Sequence, residues 1–388
     1  MYHIKVYNAI AHEALERLDA NAFAITDADP QGILLRSYNL RQETLPDSLL
    51  AIARAGAGTN NIPVEECAGK GIVVFNTPGA NSNAVKELVI ASMIIAARNL
   101  VSASRWAQTL QGDIEKQTEA GKKQFRGQEL TGKTIGIAGM GAIGSRLARD
   151  CVSLGMRVLA YDPFFTGDAP WKNSASVRQV DKLELLVQES DFITLHVPYN
   201  KLNHHLMNRK MLKKMRPGAV LLNFSRGPLV DADALLEQIG KGTGNRYITD
   251  FPEEKLIGQD GVLLYPHLGA STGEAEVNCA MMAVESLTDY LANGNIKNSV
   301  NFPDVHLDGL SVYRFCIFNR NIVNMIGKIS TALAERQINI EHIVNRSKGD
   351  YAYTMVDIGD VDPAVVQEVT EFLREQEGIV RVRVIGGQ

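Results

Sequence analysis

Three glycines, Gly139, Gly141 and Gly144, follow an apolar run that predicts a strand over residues 134–138. A Gly-x-Gly-x-x-Gly loop between a strand and a helix lets backbone approach a pyrophosphate, and the helix N-terminus attracts its charge. The next predicted strand ends at Asp162, whose carboxylate can accept hydrogen bonds from a ribose 2′-OH and would repel a 2′-phosphate. No Arg or Lys occurs in the following Pro163-Phe164-Phe165. The combination predicts a dinucleotide site that prefers NAD to NADP.

Two residues suited to the chemistry of a hydroxy acid follow later apolar runs. Arg226 comes after a predicted strand over residues 219–223, and ligands of open α/β sheets bind at such carboxyl ends. An arginine there can hold a carboxylate through two parallel hydrogen bonds. His267 follows the strand predicted over 261–264 and lies between Pro266 and Leu268. Imidazole titrates near neutral pH, so His267 is a candidate for proton exchange with an alcohol.

A carboxylate beside an imidazole fixes its tautomer and stabilises the imidazolium. The segment before His267 offers three, Asp250, Glu253 and Glu254, and spacing alone does not choose among them. His196 is interpreted as a structural residue near an adenine pocket. The remaining histidines are interpreted as ordinary core or surface residues: His3, His12, His204, His205, His306 and His342.

Strands alternating with helical patterns must position these residues, which predicts α/β architecture with two doubly wound parallel sheets. The substrate domain is predicted from residues 1–97 and 276–305, with the nucleotide domain, 98–275, inserted within it. A helix is expected from about 83 to 110, then a helix end and loop over 111–126, and a linker over 298–309. Residues 311–388 predict a separate βαββαβ module.

Composition excludes several classes of protein. The 388 residues are 45% hydrophobic and 22% charged, which is typical of a globular chain. A net charge of −4 supplies no positive field for nucleic acid or an anionic membrane, and no apolar stretch is long enough to span a bilayer. The four cysteines are far apart without CxxC spacing, which predicts no disulfide scaffold, no cysteine metal site and a cytoplasmic location.

The chain resembles the D-2-hydroxyacid dehydrogenase family over nearly its whole length. The resemblance lies in the glycine loop with Asp162, in His196-Val197-Pro198, in Asn223-x-x-Arg226-Gly227 and in the string from Pro266 to Thr272. The strings 55–61 and 76–81 point to the members that convert 3-phospho-D-glycerate to 3-phosphohydroxypyruvate, the first step of the phosphorylated route to serine.

The resemblance implies roles for individual residues. Arg226 would bind the carboxylate and keto oxygen, His267 would be the general acid/base, and Glu254 would match the catalytic glutamate if one residue is missing from the family pattern, with Glu253 as its competitor. The implied NAD contacts are Gly139, Gly141, Ala142, Ile143, Gly144, Asp162, His196, Val197, Pro198, Ser225, Asp250 and Gly269. The implied substrate contacts are Arg36, Ser37, Arg54, Ala57, Gly58, Asn81 and Lys86. No metal is implied.

The C-terminal module resembles ACT domains, which pair with copies of themselves and bind small effectors. The resemblance implies a homodimer or homotetramer, and places an amino-acid effector at Asn319, Asn321 and Asn339. Val323-Asn324 stands where relatives often have Pro-Gly, so a self-association module without a ligand is an equal interpretation.

Two other functions are compatible with these motifs. One is a dehydrogenase for a different D-2-hydroxy acid, which a basic phosphate pocket would argue against. The other is an NAD-sensing binding protein on the same fold, for which an acid/base set of Arg226, Glu254 and His267 would have no purpose.

Overall fold

The computed structural model describes residues 1–7, 10–164 and 176–387. Its strands are β1 Tyr2–Val6, β2 Phe23–Ile25, β3 Gly32–Leu35, β4 Ala51–Arg54, β5 Val73–Phe75, β6 Thr134–Ala138, β7 Arg157–Tyr161, β8 Val177–Gln179, β9 Phe192–Leu195, β10 Val220–Asn223, β11 Arg246–Thr249, β12 Val262–Leu264, β13 Tyr313–Arg320, β14 Ile340–Lys348, β15 Tyr351–Ile358 and β16 Ile379–Gly386. Its α-helices are α1 His12–Leu15, α2 Val64–Gly69, α3 Ser82–Arg98, α4 Leu100–Ala107, α5 Ile114–Gly121, α6 Ala142–Ser153, α7 Leu183–Glu189, α8 Arg209–Leu212, α9 Ala232–Gly240, α10 Gly273–Asn293, α11 Met325–Ala334 and α12 Pro363–Glu375.

The chain forms two compact units, one of residues 1–80 and 276–388 and one of residues 81–275. The sequence predicted a boundary after residue 97, whereas this division falls before α3. The reason is packing, because Val85, Val89 and Met93 of α3 share a core cluster with Leu147 of α6.

The first unit contains a five-stranded parallel sheet in the order β2-β1-β3-β4-β5. All four residues of β3 are buried, as expected for a strand covered on both faces. The order reverses between β1 and β3, and Arg36 follows β3 while Arg54 ends β4. Both arginines therefore lie at carboxyl ends of the sheet, where such folds bind ligands.

The second unit contains a seven-stranded parallel sheet in the order β12-β11-β10-β9-β6-β7-β8. This is a doubly wound arrangement whose direction reverses between β6 and β9. The glycine loop follows β6, so it lies at the topological switch point.

The C-terminal module is a four-stranded antiparallel sheet in the order β14-β15-β13-β16. Its chain order is β13-α11-β14-β15-α12-β16, which confirms the predicted βαββαβ arrangement and the predicted fold class. Phe318, Tyr353 and Met355 share a buried cluster with Tyr290 and Phe302, so the module is part of the first unit's core.

The prediction of one helix from 83 to 110 is wrong, because the structure has two helices there, α3 and α4. Asn99 adopts a left-handed backbone conformation, with φ of 52°, between α3 and α4. Arg246 donates to the carbonyl oxygen of Ala96 at 2.6 Å and to Oδ1 of Asn99 at 3.0 Å. A residue distant in sequence therefore caps α3, and local periodicity carries no signal for such a cap.

The segment 111–126, predicted as a helix end and a loop, and the segment 298–309, predicted as a linker, have more structure than expected. The polar stretch 111–126 contains α5, whose N-cap Asp113 accepts a hydrogen bond from the amide of Lys116 at 3.1 Å. In the segment 298–309, predicted as a linker, Asn301 is buried, accepts from the amide of Val74 at 2.9 Å and donates to the carbonyl of Ile72 at 2.8 Å. That segment is therefore fastened to the sheet of the first unit.

Candidate active site

The loop after β6 is shaped to accept a phosphate. Gly139 has φ of 99°, and a Cβ there would lie 2.5 Å from the carbonyl oxygen of His196. A side chain on Gly144 would overlap the carbonyl of Gly139. At Gly141 a Cβ would meet no heavy atom within 4 Å, which leaves open space in front of the loop. Because α6 begins at Ala142, directly after the second glycine, its N-terminal amides are available to bind a pyrophosphate.

Asp162 lies against this loop. Its Oδ2 accepts from the amide of Met140 at 2.8 Å, and its Oδ1 accepts from the amide of Phe164 at 3.0 Å. The carboxylate is therefore fixed at the end of β7 beside the glycine loop, where the ribose of a dinucleotide lies in this type of fold. Phe165, the last of the three uncharged residues that follow Asp162, lies outside the described residues.

We expect Asp162→Ala to relax the preference for NAD over NADP, because the variant lacks the charge that repels a 2′-phosphate. The ratio of kcat/KM for NAD to that for NADP measures this preference. We expect the ratio to fall by roughly tenfold or more, since an interaction worth about 1.4 kcal/mol changes it by a factor of ten. Asp181→Ala, an exposed acid of the same unit, is the control. Unchanged discrimination would count against the ribose contact.

His196 follows β9 and is held by its neighbours. Its Nε2 is hydrogen-bonded to Oγ1 of Thr194 at 2.9 Å, while Nδ1 is buried without a partner. Burial lowers the pKa of His196 to about 4, so the ring is neutral at physiological pH. Ser225 Oγ donates to the carbonyl of Leu195 at 2.8 Å, which ties the adjoining loop to the same strand end. These contacts support a structural role for His196.

Asp250 is the most deeply buried carboxylate of the predicted site, with 1% of its surface exposed. Its Oδ2 accepts from the amide of Gly269 at 2.8 Å, but Oδ1 is buried without a partner. Burial raises the pKa of Asp250, and the nearby charges of His267 and Arg226 oppose that shift. An orphaned oxygen of this kind fits a ligand donor, such as the carboxamide of a nicotinamide.

Arg226 begins a loop that Asn223 organises. The buried Asn223 side chain donates to the carbonyl of Arg226 at 2.8 Å and accepts from the amide of Ser225 at 3.2 Å. Thr249 Oγ1 donates to the carbonyl of Asn223 at 2.7 Å. The guanidinium of Arg226 is exposed and donates to the Ser225 carbonyl at 2.6 Å. Sequence reasoning gave Asn223 no role, although an asparagine at a strand end signals such a turn.

His267 is exposed and sits in an unusual backbone conformation, with φ of 50°. Its amide donates to the carbonyl of Asp250 at 3.0 Å and to that of Tyr265 at 3.2 Å. Its ring centroid lies 5.0 Å from that of Phe251. Left-handed backbone at a residue with a Cβ costs about 1–2 kcal/mol, and such strain is common in active sites.

The two competing glutamates have different surroundings. Glu253 is half-buried, and its Oε1 lies 3.4 Å from the position that a Cβ on Gly227 would occupy. Glu254 is exposed at the start of a short 3-10 helix, Glu254–Leu256. Among the described residues, neither makes a hydrogen bond or ion pair with His267. Glu253 therefore lies next to the Arg226 loop, a placement that the sequence spacing does not reveal.

Lys86, predicted to contact a substrate phosphate, lies in the interior of the second unit. It is 8% exposed and pairs with Asp150 at 2.8 Å, while also donating to Oδ1 of Asn83 at 2.8 Å. The structure does not support the phosphate contact, because the ammonium joins α3 to α6. Asn81 precedes α3 without capping it through its side chain.

The remaining predicted substrate contacts belong to the first unit. Arg36 forms an ion pair with Glu276 at 2.8 Å, and Arg54 Nε donates to the Arg36 carbonyl at 3.0 Å. Ser37 and Ala57 are exposed and Gly58 is half-buried. These five residues share the carboxyl-end side of the parallel sheet, and their contact with a substrate stays a prediction.

The three asparagines predicted for an effector are not brought together within the chain. Asn319 is buried at the end of β13, and Asn321 donates to the carbonyl of Gly349 at 3.1 Å. Asn339 is exposed before β14, whose first residue Ile340 pairs with Ile358, at the other end of the sheet.

Metal chemistry has no candidate site in residues 1–7, 10–164 and 176–387, where no three His, Cys, Asp or Glu side chains are grouped to hold an ion. All four cysteines are free and buried. Within the same ranges, no helix combines the length and apolar character needed to cross a membrane.

Comparisons with known proteins find relatives of this chain in both sequence and structure. Residues 90–269 match the family described as D-isomer specific 2-hydroxyacid dehydrogenase, NAD binding domain. D-3-phosphoglycerate dehydrogenase 2 of Saccharomyces cerevisiae is 32% identical over 364 residues, covering 87% of this chain and 74% of the yeast protein. D-3-phosphoglycerate dehydrogenase of Escherichia coli is 31% identical, covering 93% of this chain and 88% of that protein.

A solved structure of NAD+-bound 3-phosphoglycerate dehydrogenase from Entamoeba histolytica superposes with a TM-score of 0.63 at 29% identity, covering 77% of this chain and 98% of that chain. The chain belongs to the D-isomer specific 2-hydroxyacid dehydrogenase family. It is an NAD-dependent enzyme, which confirms the predicted cofactor and class of reaction.

Proposed function

We propose that this enzyme oxidises 3-phospho-D-glycerate to 3-phosphohydroxypyruvate. The observation that carries the proposal is the similarity to D-3-phosphoglycerate dehydrogenases of yeast, archaea and bacteria at 31–34% identity, which extends over 73–93% of this chain. The same proposal places the enzyme at the first step of the phosphorylated route to serine.

The reaction removes a hydride from C2 and a proton from the hydroxyl group of the substrate. NAD+ supplies the hydride acceptor. His267 takes the hydroxyl proton, since its exposed imidazole is held by the strained turn after β12. Arg226 binds the carboxylate and polarises the carbonyl oxygen that forms. The free Oδ1 of Asp250 orients the nicotinamide by accepting from its carboxamide.

The test compares substrates in the reductive direction, with NADH consumption followed at 340 nm. We expect kcat/KM for phosphohydroxypyruvate to exceed that for hydroxypyruvate or pyruvate by at least about tenfold, as two more charge-assisted hydrogen bonds would provide. A higher kcat/KM for an unphosphorylated acid would overturn the proposal and assign another 2-hydroxy acid.

We also propose that Glu253, and not Glu254, is the carboxylate that acts with His267. Its half-buried position beside Gly227 supports this, because a shielded charge stabilises an imidazolium better than an exposed one. We expect Glu253→Gln to lower kcat roughly 10²-fold and to change the pH profile of kcat/KM. Glu254→Gln is the matched control and should retain near wild-type kcat. The opposite ranking would restore the assignment of Glu254.

The C-terminal module supports proposals about assembly and regulation. β14 is an edge strand whose residues are mostly exposed, so it offers backbone groups to a second copy, and we propose a homodimer or homotetramer. An amino-acid effector at Asn319, Asn321 and Asn339 would then draw on two copies. Calorimetric titration of serine into the intact protein distinguishes an effector site from a module that has no effector.

The free cysteines support a cytoplasmic location.

A further inference from the structure

An open cavity of about 550 Å³ lies within the first unit, and its lining includes none of Arg226, Glu253, Glu254 and His267. Three segments line it: the end of β14, the segment after α10, and the turn after β5. Its volume is within the range of small-molecule sites. Pro78 and Pro303 line it together with polar and charged residues, and the absence of an aromatic side chain from this lining argues against a nucleoside or another planar ligand.

The charge on these walls is positive overall. Arg346 and Lys348 face one acid, Asp304, whose Oδ1 already accepts from the amide of Asn298 at 3.0 Å. The Arg346 backbone pairs with Tyr353 of β15, whereas its guanidinium has no hydrogen-bond or ion-pair partner among the described residues. Lys348 Nζ donates to the carbonyl of Ser299 at 2.8 Å, which fixes the ammonium at the cavity and leaves two of its three protons free.

Uncharged donors complete the set. Asn76, Asn298, Ser299 and Ser347 also line the cavity. A planar guanidinium and a fixed ammonium among such polar residues are suited to oxygen atoms that share negative charge. We infer that this cavity binds a small oxyanion with at least two negative charges, as a phosphate ester or a polycarboxylate has.

Asn76 connects the cavity to a loop that is predicted to contact substrate. Asn76 Nδ2 donates to the carbonyl of Ala57 at 2.6 Å, and the Asn76 amide donates to the carbonyl of Asn298 at 3.2 Å. An anion that fixes the Asn76 side chain therefore also restrains the loop of Ala57 and Gly58. Binding of an anion in the cavity is therefore expected to alter KM for the hydroxy acid. This effect on KM rests on the proposed function, whereas anion binding itself does not.

Calorimetric titration of inorganic phosphate into the full chain tests the site directly. We expect the wild type to bind one more phosphate per chain than Arg346→Gln, or to bind at least about tenfold more tightly. Arg374→Gln, which removes an exposed arginine of the same module outside the cavity, should bind as the wild type does. Equal binding by the wild type and Arg346→Gln, or equal loss in Arg374→Gln, would overturn the inference.

A parallel titration with citrate distinguishes the two sources of the anion. Tighter binding of phosphate assigns a phosphate ester, and tighter binding of citrate assigns a polycarboxylate; in both cases the affinity must depend on Arg346. The loop contact is tested by KM for the hydroxy acid, which should depend on phosphate differently in the wild type and in Arg346→Gln. An identical dependence in both would refute the connection to Ala57.

Discussion

The His267→Ala variant should lose roughly 10²- to 10⁴-fold in kcat while still binding NADH, because a positioned general base contributes that much to a proton transfer. The backbone of His267 is fixed by its bonds to Asp250 and Tyr265, and alanine can keep both, since the amide makes them. The loss would therefore report on the imidazole and not on the turn. Steady-state turnover and fluorescence titration of NADH measure the two quantities.

His306→Ala is the matched control for this prediction. His306 is exposed and pairs with Asp308 at 2.8 Å, in the segment that joins α10 to β13. Its removal should leave kcat within about twofold of the wild type, as expected for surface substitutions away from a site. Near-normal turnover in His267→Ala would remove the general base from the proposed mechanism.

The Asp357→Ala variant should lose about 3–5 kcal/mol in free energy of unfolding, since it leaves the buried Arg314 charge without its partner. Arg314 is completely buried and Asp357 is 1% exposed. Two parallel bonds of 2.6 and 2.7 Å join them, and Arg314 also donates to the carbonyls of Asn293 at 2.8 Å and Gly309 at 2.6 Å. Denaturant unfolding followed by circular dichroism measures the change.

A second ion pair in the same module provides the control. Glu368→Ala removes a partner that is 63% exposed from Arg336, and should cost at most about 1 kcal/mol. The double variant Arg314→Met with Asp357→Leu should recover much of the lost stability, because replacing both charges removes the unpaired one. Similar losses in Asp357→Ala and Glu368→Ala would show that burial does not govern the Arg314 pair.

Local sequence patterns predicted the strands and the helix around the glycine loop well. The strand, glycine loop, helix, strand and acid follow one another over residues 134–162, so neighbours in sequence are neighbours in space. The strand predicted over 134–138 matches β6 for the same reason, and those predicted over 219–223 and 261–264 begin one residue before β10 and β12.

The features that the sequence did not predict depend on packing between residues far apart in the chain. Lys86 is occupied because α3 packs on α6, which brings Asp150 to it from 64 positions away. The break at Asn99 depends on Arg246, and the order of segment 298–309 depends on the edge strand that Asn301 reaches. The ambiguity between Glu253 and Glu254 has a different origin. One residue is missing relative to the family pattern, and the sequence does not show at which position, so either glutamate can be aligned with the catalytic one.

An aromatic cluster joins the C-terminal sheet to the rest of the first unit, and it limits how readily this module could be replaced by that of a relative. Phe302 lies 4.7 Å from Phe318, ring centre to ring centre, and the Tyr353 hydroxyl donates to the carbonyl of Gly294 at 2.7 Å. A chain shortened before β13 would leave Phe302 and Tyr290 facing water. Recombination that swaps this sheet for a relative's must therefore carry the complementary aromatic partners with it, so the two parts are expected to change together during evolution.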